Sequence, residues 1–116
     1  LTGAIIVTTP QDLALLDVKK GADMFEKVNT PVIGVIENMT HFLCPNCNAS
    51  TKIFPGKGGT SESSRLNVPL LGEIFLSPEL AMSADNGKPY VLQFESSPIT
   101  KVYSNIVQHL KKTLTI

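Results

Sequence analysis

The chain of 116 residues has no tryptophan, a single arginine at Arg65 and only two cysteines. Each scarcity excludes something. Ten Lys plus Arg against ten Asp plus Glu leave a formal net charge of zero, so there is no basic footprint for a nucleic acid or an anionic membrane. No nucleic-acid partner is expected. No uninterrupted apolar run is longer than Ala4-Ile5-Ile6-Val7, far short of the roughly 18 residues that span a bilayer. No membrane insertion is expected either. Two cysteines that nearly adjoin close almost no loop, which excludes a disulfide-stapled secreted scaffold. With 42% hydrophobic and 17% charged residues, what remains is one ordinary folded domain. The chain opens on Leu1-Thr2-Gly3, with neither an initiating Met nor a charged leader. It therefore reads as part of a longer polypeptide, with any targeting segment upstream.

What is present alternates strand-like and helix-like segments. Residues 4–8 are apolar and β-branched without alternation, as in a parallel strand covered on both faces. Thr9, Pro10 and Asp12 supply an N-cap, a helix-opening proline and an early acid, so a helix is expected over 10–27. Leu15, Val18, Ala22 and Phe25 form its apolar stripe. Asn29-Thr30-Pro31 stops that helix and residues 32–36 make a second buried strand, completing a βαβ unit. Residues 38–59 show no sustained period and read as a long functional loop. A short helix over 60–66, a strand over 68–75, and a helix opened by Ser77-Pro78 and ended by Asn86-Gly87 follow. A last helix from Ser97-Pro98 carries Ile99, Val102, Tyr103, Ile106, Val107, Leu110 and Leu114 on one face, with Lys111 and Lys112 in its last turns. The expected class is α/β, a parallel sheet flanked by helices.

Chemistry is concentrated in Cys44-Pro45-Asn46-Cys47. Two thiolates at this spacing can hold one metal centre but fill only half its positions, so another chain must complete it, as a two-fold dimer would. A redox dithiol is the alternative, although Asn48-Ala49-Ser50-Thr51 is a poor helical continuation for such a site. Two incidental thiols are the third reading. His41 is a candidate third zinc ligand. Lys57-Gly58-Gly59-Thr60-Ser61 lacks both the preceding strand and the closing Lys-Ser/Thr of a phosphate loop. It reads instead as a flexible hinge beside the cysteines. Asn38 ends the second strand, where open α/β sheets take ligands, and its carboxamide matches the adenine edge; the alternative is a turn-forming Asn. Glu37 is expected to point to the other side and to cap or pair locally.

In order along the chain, Gly3-Ala4-Ile5-Ile6-Val7-Thr8-Thr9-Pro10-Gln11-Asp12, Gly34-Val35-Ile36-Glu37-Asn38-Met39, Cys44-Pro45-Asn46-Cys47, Gly58-Gly59, Val68-Pro69-Leu70-Leu71-Gly72-Glu73-Ile74 and Ser83-Ala84-Asp85-Asn86-Gly87-Lys88-Pro89 resemble the Mrp-type P-loop ATPases that carry iron–sulfur clusters, including the mitochondrial NUBPL-like branch. The resemblance implies a homodimer whose two Cys44/Cys47 pairs bridge a 4Fe-4S cluster. It further implies ATP binding with magnesium, slow hydrolysis, and transfer of the cluster to apo iron–sulfur proteins. Residues 1–116 then correspond to the C-terminal part of one ATP-binding domain, without phosphate loop or switch segments, and inactive as a hydrolase by itself. Asn38 becomes the adenine-reading residue, and the backbone from Ile74 through Phe75 to Pro78 lines the base. Phe75 and Ser77 stand where the family usually has Pro and Asp, and Pro55 looks like an added residue. Cytoplasm and mitochondrial matrix both keep thiols reduced and are the expected compartments.

Overall fold

The computed structural model describes residues 1–54, 56 and 58–114. Strand β1 (Ala4–Thr8), helix α1 (Asp12–Lys27) and strand β2 (Val32–Leu43) open the chain. A two-residue strand β3 (Ser50–Thr51), helix α2 (Gly58–Leu66) and strand β4 (Leu70–Leu76) follow. Helix α3 (Pro78–Asp85), the single turn α4 (Tyr90–Gln93) and helix α5 (Pro98–Leu114) close it. β2 is central, parallel to β1 on one side and to β4 on the other, while β3 pairs antiparallel with its far end. This is the expected α/β sheet with flanking helices.

The core forms where one face of β1 and β2 meets α1. Ile6, Ala22 and Val35 are buried together, and Val18, Phe25, Leu66 and Leu70 pack around them. The predicted α1 stripe thus faces the sheet. On the other face, Ile99 and Ile106 of α5 are buried, and Gly72 lets α5 approach so closely that a Cβ there would lie 2.9 Å from Ile106 Cδ1. Val107, expected on the same stripe, is 48% exposed. That face is not covered at β1, where Val7 is 57% exposed.

Three expectations need correction. Helix α1 starts at Asp12, not residue 10, and its N-cap is Gln11 without a side-chain cap bond. Thr9 instead directs its hydroxyl to Gln11 Oε1 at 3.1 Å, and Pro10 is fully buried. Second, residues 38–43 are strand rather than loop. The apolar pattern breaks there because Met39 takes φ 57° and the register with β4 slips between Asn38 and Phe42, a bulge that a period-two reading cannot follow. Third, Gly58 and Gly59 are no hinge: both are buried in the first turn of α2. A Cβ on Gly58 would meet Pro10 Cα at 2.6 Å and Glu37 Oε1 at 2.8 Å, so these positions serve close packing. The readings of Lys57 and Pro55 lie outside the described residues.

The helix signals elsewhere hold. Ser77 caps α3 by accepting from the Leu80 N–H, with Pro78 in the first turn, and Gly87 at φ 68° follows its C-cap. Ser97 accepts from the Thr100 N–H at 3.1 Å where α5 begins.

Candidate functional site

The long β2 strand delivers the cysteines. Phe42 and Leu43 pair with Thr51 and Ser50, and the Cys44 N–H donates to the Ala49 carbonyl while the Asn48 N–H donates to Cys44, each at 2.9 Å. Asn48 takes φ 59° to close the turn. Cys44 is half-buried at its base, Cys47 is exposed, and both are free thiols. Backbone N–H groups of Asn46 and then Cys47, with the Cys47 side chain, hold the Cys44 thiol below its usual range. Hydrogen bonds to the charged form favour the thiolate, and the thiolate is the metal ligand. A lowered thiol is also what a redox dithiol needs. Here turn amides produce it without a helix N-terminus, so it serves a metal thiolate equally.

Among the described residues, no three His, Cys, Asp or Glu side chains are grouped to hold a metal. His41 is therefore not brought to the cysteines as a third ligand. Its ring meets Phe75 edge-on, with centroids 5.9 Å apart, and it lines a separate cavity of about 250 Å³ with Glu37, Lys52 and Glu73. Two thiolates per chain fill half of a four-thiolate centre. The donor set fits a cluster only when a second chain supplies the other half.

Of the base-lining candidates, Phe75 and Pro78 border a cavity of about 180 Å³ whose opposite wall includes Leu43 and Cys44. Ile74 is not on that wall: its side chain is buried at 4% exposure and its carbonyl accepts from the Thr40 hydroxyl at 3.3 Å. Asn38 lies opposite Ile74 in the β2–β4 ladder, half-buried, with Oδ1 accepting from the Met39 N–H at 3.0 Å. The structure thus places Phe75 and Pro78 beside the cysteine hairpin, whereas Asn38, on the neighbouring strand opposite Ile74, does not line their cavity.

Glu37 does turn to the other side, as expected, but into the interior. It is 6% exposed, and the Gly59 N–H donates to it. Burial, reinforced by Glu73, pushes its carboxyl above the usual range; the Gly59 bond, Lys52 and His41 oppose this in part. Thr40, 3% exposed, had no signal in the sequence, because a lone threonine in an apparent loop has no period to betray it.

A mixed four-stranded sheet, parallel in three of its strands, with flanking helices and a Cys-x-x-Cys hairpin beyond its central strand defines the class, an α/β domain that carries a pair of free thiols. The particular family follows from comparison with known proteins. The family model ParA, described as NUBPL iron-transfer P-loop NTPase, matches residues 1–111, and the chain belongs to that family. It is 41% identical over 116 residues to the iron-sulfur cluster transfer protein NUBPL of Dictyostelium discoideum, covering 100% of this chain and 36% of that protein. It is 44% identical over 115 residues to an iron-sulfur cluster carrier protein of Aquifex aeolicus (strain VF5), covering 98% of this chain and 31% of that one. A mitochondrial iron-sulfur protein of Arabidopsis thaliana required for NADH dehydrogenase is 40% identical over 114 residues, or 98% of this chain and 36% of the relative. The nucleotide-binding protein of Archaeoglobus fulgidus, solved with ADP, superposes with TM-score 0.63 at 31% identity over 84% of this chain and 42% of that one. The chain spans about a third of the length of the curated relatives it matches.

Proposed function

We propose that this chain is the cluster-holding part of an iron–sulfur cluster carrier that takes a 4Fe-4S cluster between two copies and passes it to apo-proteins under the control of ATP. The observation that carries the reading is the hairpin: two free thiols, Cys44 half-buried at the base of its turn and Cys47 exposed, with Cys44 biased toward thiolate by the Asn46 and Cys47 amides and no third ligand nearby among the described residues. Such a half-site favours a shared cluster, and a cluster held at a two-fold axis by a pair that includes the exposed Cys47 is accessible to an acceptor's thiolates. The likeness to proteins named as cluster carriers supports the cargo.

Cys44 and Cys47 hold the cluster; Asn38 reads the adenine edge through its free amide N–H₂ and the second lone pair of Oδ1. Phe75 and Pro78 line the base, with Ile74 behind them giving the strand a fixed position. The phosphates and magnesium are held by residues outside these 116. The compartment is the mitochondrial matrix or the cytoplasm; a mitochondrial one, with NADH dehydrogenase as recipient, is favoured by the name of the Arabidopsis relative.

Transfer is the direct test. The complete protein, loaded anaerobically with iron and sulfide, is mixed with an apo 4Fe-4S enzyme in the presence of an iron chelator. Activation of the recipient with matching loss of carrier absorbance is expected. A loaded protein that never activates the recipient contradicts the carrier role.

A further inference from the structure

Between Asn38 and Phe42, β2 has three residues where β4 has only Phe75, since Asn38 faces Ile74 and Phe42 faces Leu76. The surplus is a bulge at residues 39–41 with Met39 at φ 57°. Two side chains of this bulge grip the base-lining end of β4. The Thr40 hydroxyl, on a residue 3% exposed, donates to the Ile74 carbonyl at 3.3 Å, and His41 packs its ring against Phe75 at 5.9 Å. Immediately beyond, Phe42 and Leu43 enter the ladder that closes the cysteine hairpin.

We propose that Thr40 is a positioning residue that ties the base-lining end of β4 to the hairpin bearing Cys44 and Cys47, so that nucleotide occupancy and cluster occupancy are energetically coupled. The inference rests on the proposed function above and adds the route by which its two ligands sense each other. A base settling against Phe75 and Pro78 acts on the backbone of β4 one residue from the Ile74 carbonyl. The buried hydroxyl has to follow that carbonyl or lose its partner, and an unpartnered buried hydroxyl is costly. Because the bulge is closely packed, it moves as a unit rather than deforming gradually. Its far end is the first pair of the hairpin. The coupling is reciprocal by linkage: whatever factor the nucleotide exerts on cluster affinity, the cluster exerts on nucleotide affinity.

The test measures binding of a non-hydrolysable ATP analogue with magnesium to the complete protein, cluster-loaded and cluster-free, under anaerobic conditions. Coupling between sites typically changes an affinity about 5- to 150-fold, so the two dissociation constants of the unaltered protein are expected to differ by at least about fivefold. Thr40→Val keeps the shape and removes the hydroxyl; it is expected to load cluster normally and to bring the two constants together. Thr40→Ser, which keeps the hydroxyl, is expected to retain the difference, a rescue that a merely structural role for the β-branched side chain would not give. Thr40→Ala carries the same expectation as Thr40→Val should the latter fail to fold. A hydroxyl-free variant with the unaltered ratio overturns the inference, as do equal constants in the unaltered protein. An unaltered protein that takes up no cluster, or no nucleotide, overturns the proposed function itself and this inference with it.

Discussion

At Asn38 the proposed base contact and a local hydrogen bond share one carboxamide. Its Oδ1 accepts from the next backbone N–H at 3.0 Å, the local role of a turn-forming Asn, yet the amide N–H₂ and a second lone pair remain for a base edge. Losing a bidentate base contact costs roughly 1 to 3 kcal/mol of discrimination. In the complete protein, Asn38→Ala is therefore expected to weaken ATP binding about tenfold or more and to narrow the preference for ATP over GTP. A purely local role would cost stability of up to roughly 1 kcal/mol and leave that preference unchanged. Paired nucleotide titrations and a melting curve separate the two. At this scale the sequence was partly legible. Cys44 and Cys47 stand out as candidates by spacing, and Asn38 by its place at the end of a buried run. Thr40 does not, and His41 suggests only a metal ligand, because their contacts are with a backbone carbonyl and a ring supplied by β4 more than thirty positions away.

The elements carry their own expectations. Gly58 stands at φ 46° with Pro10 Cα and Glu37 Oε1 within 2.8 Å of where a Cβ would sit. Gly58→Ala is expected to destabilise by about 1–3 kcal/mol through overpacking, seen as a lowered Tm. An unchanged Tm would restore the hinge that the glycine run suggested. Glu37 is buried beneath the same turn with its carboxyl pushed up by burial and by Glu73. An acid whose native pKa exceeds its unfolded value binds more protons when folded, so its contribution to stability grows as pH falls through the raised value and levels off below the unfolded one. Glu37→Gln is expected to remove that rise on acidification. Denaturant curves across the acidic range check this, and an unaltered slope in the variant contradicts it. Helix α5 and the α1 stripe were legible because a 3.6-residue period survives in sequence. The second half of β2 was not. Its bulge breaks the period of two, and its strand character comes from partners that only the fold supplies.

The whole molecule presents its cysteine pair on a hairpin beyond the sheet while leaving one face of β1 open, with Val7 57% exposed. No phosphate loop is recognisable in these 116 residues, and the matched relatives are about three times as long. The 116-residue chain by itself is accordingly expected to show no ATP turnover above buffer. Turnover that disappears on Lys57→Ala would contradict the division of labour between these residues and the phosphate site. Fold class and family were legible at this scale, since alternating strands and helices and the ordered motifs around the Cys-x-x-Cys pair each leave a pattern. The proposed sharing of a cluster between two chains is different: it rests on counting ligands, and a count of metal tests it. The decisive measurement is anaerobic reconstitution of the complete protein with iron and sulfide, followed by visible absorption, size analysis and iron determination. The proposal requires a brown dimer with about four iron atoms per two chains, and loss of that cluster in both Cys44→Ala and Cys47→Ala with the fold retained. Full cluster content in either variant, or a colourless dimer with about half a zinc per chain, would contradict it.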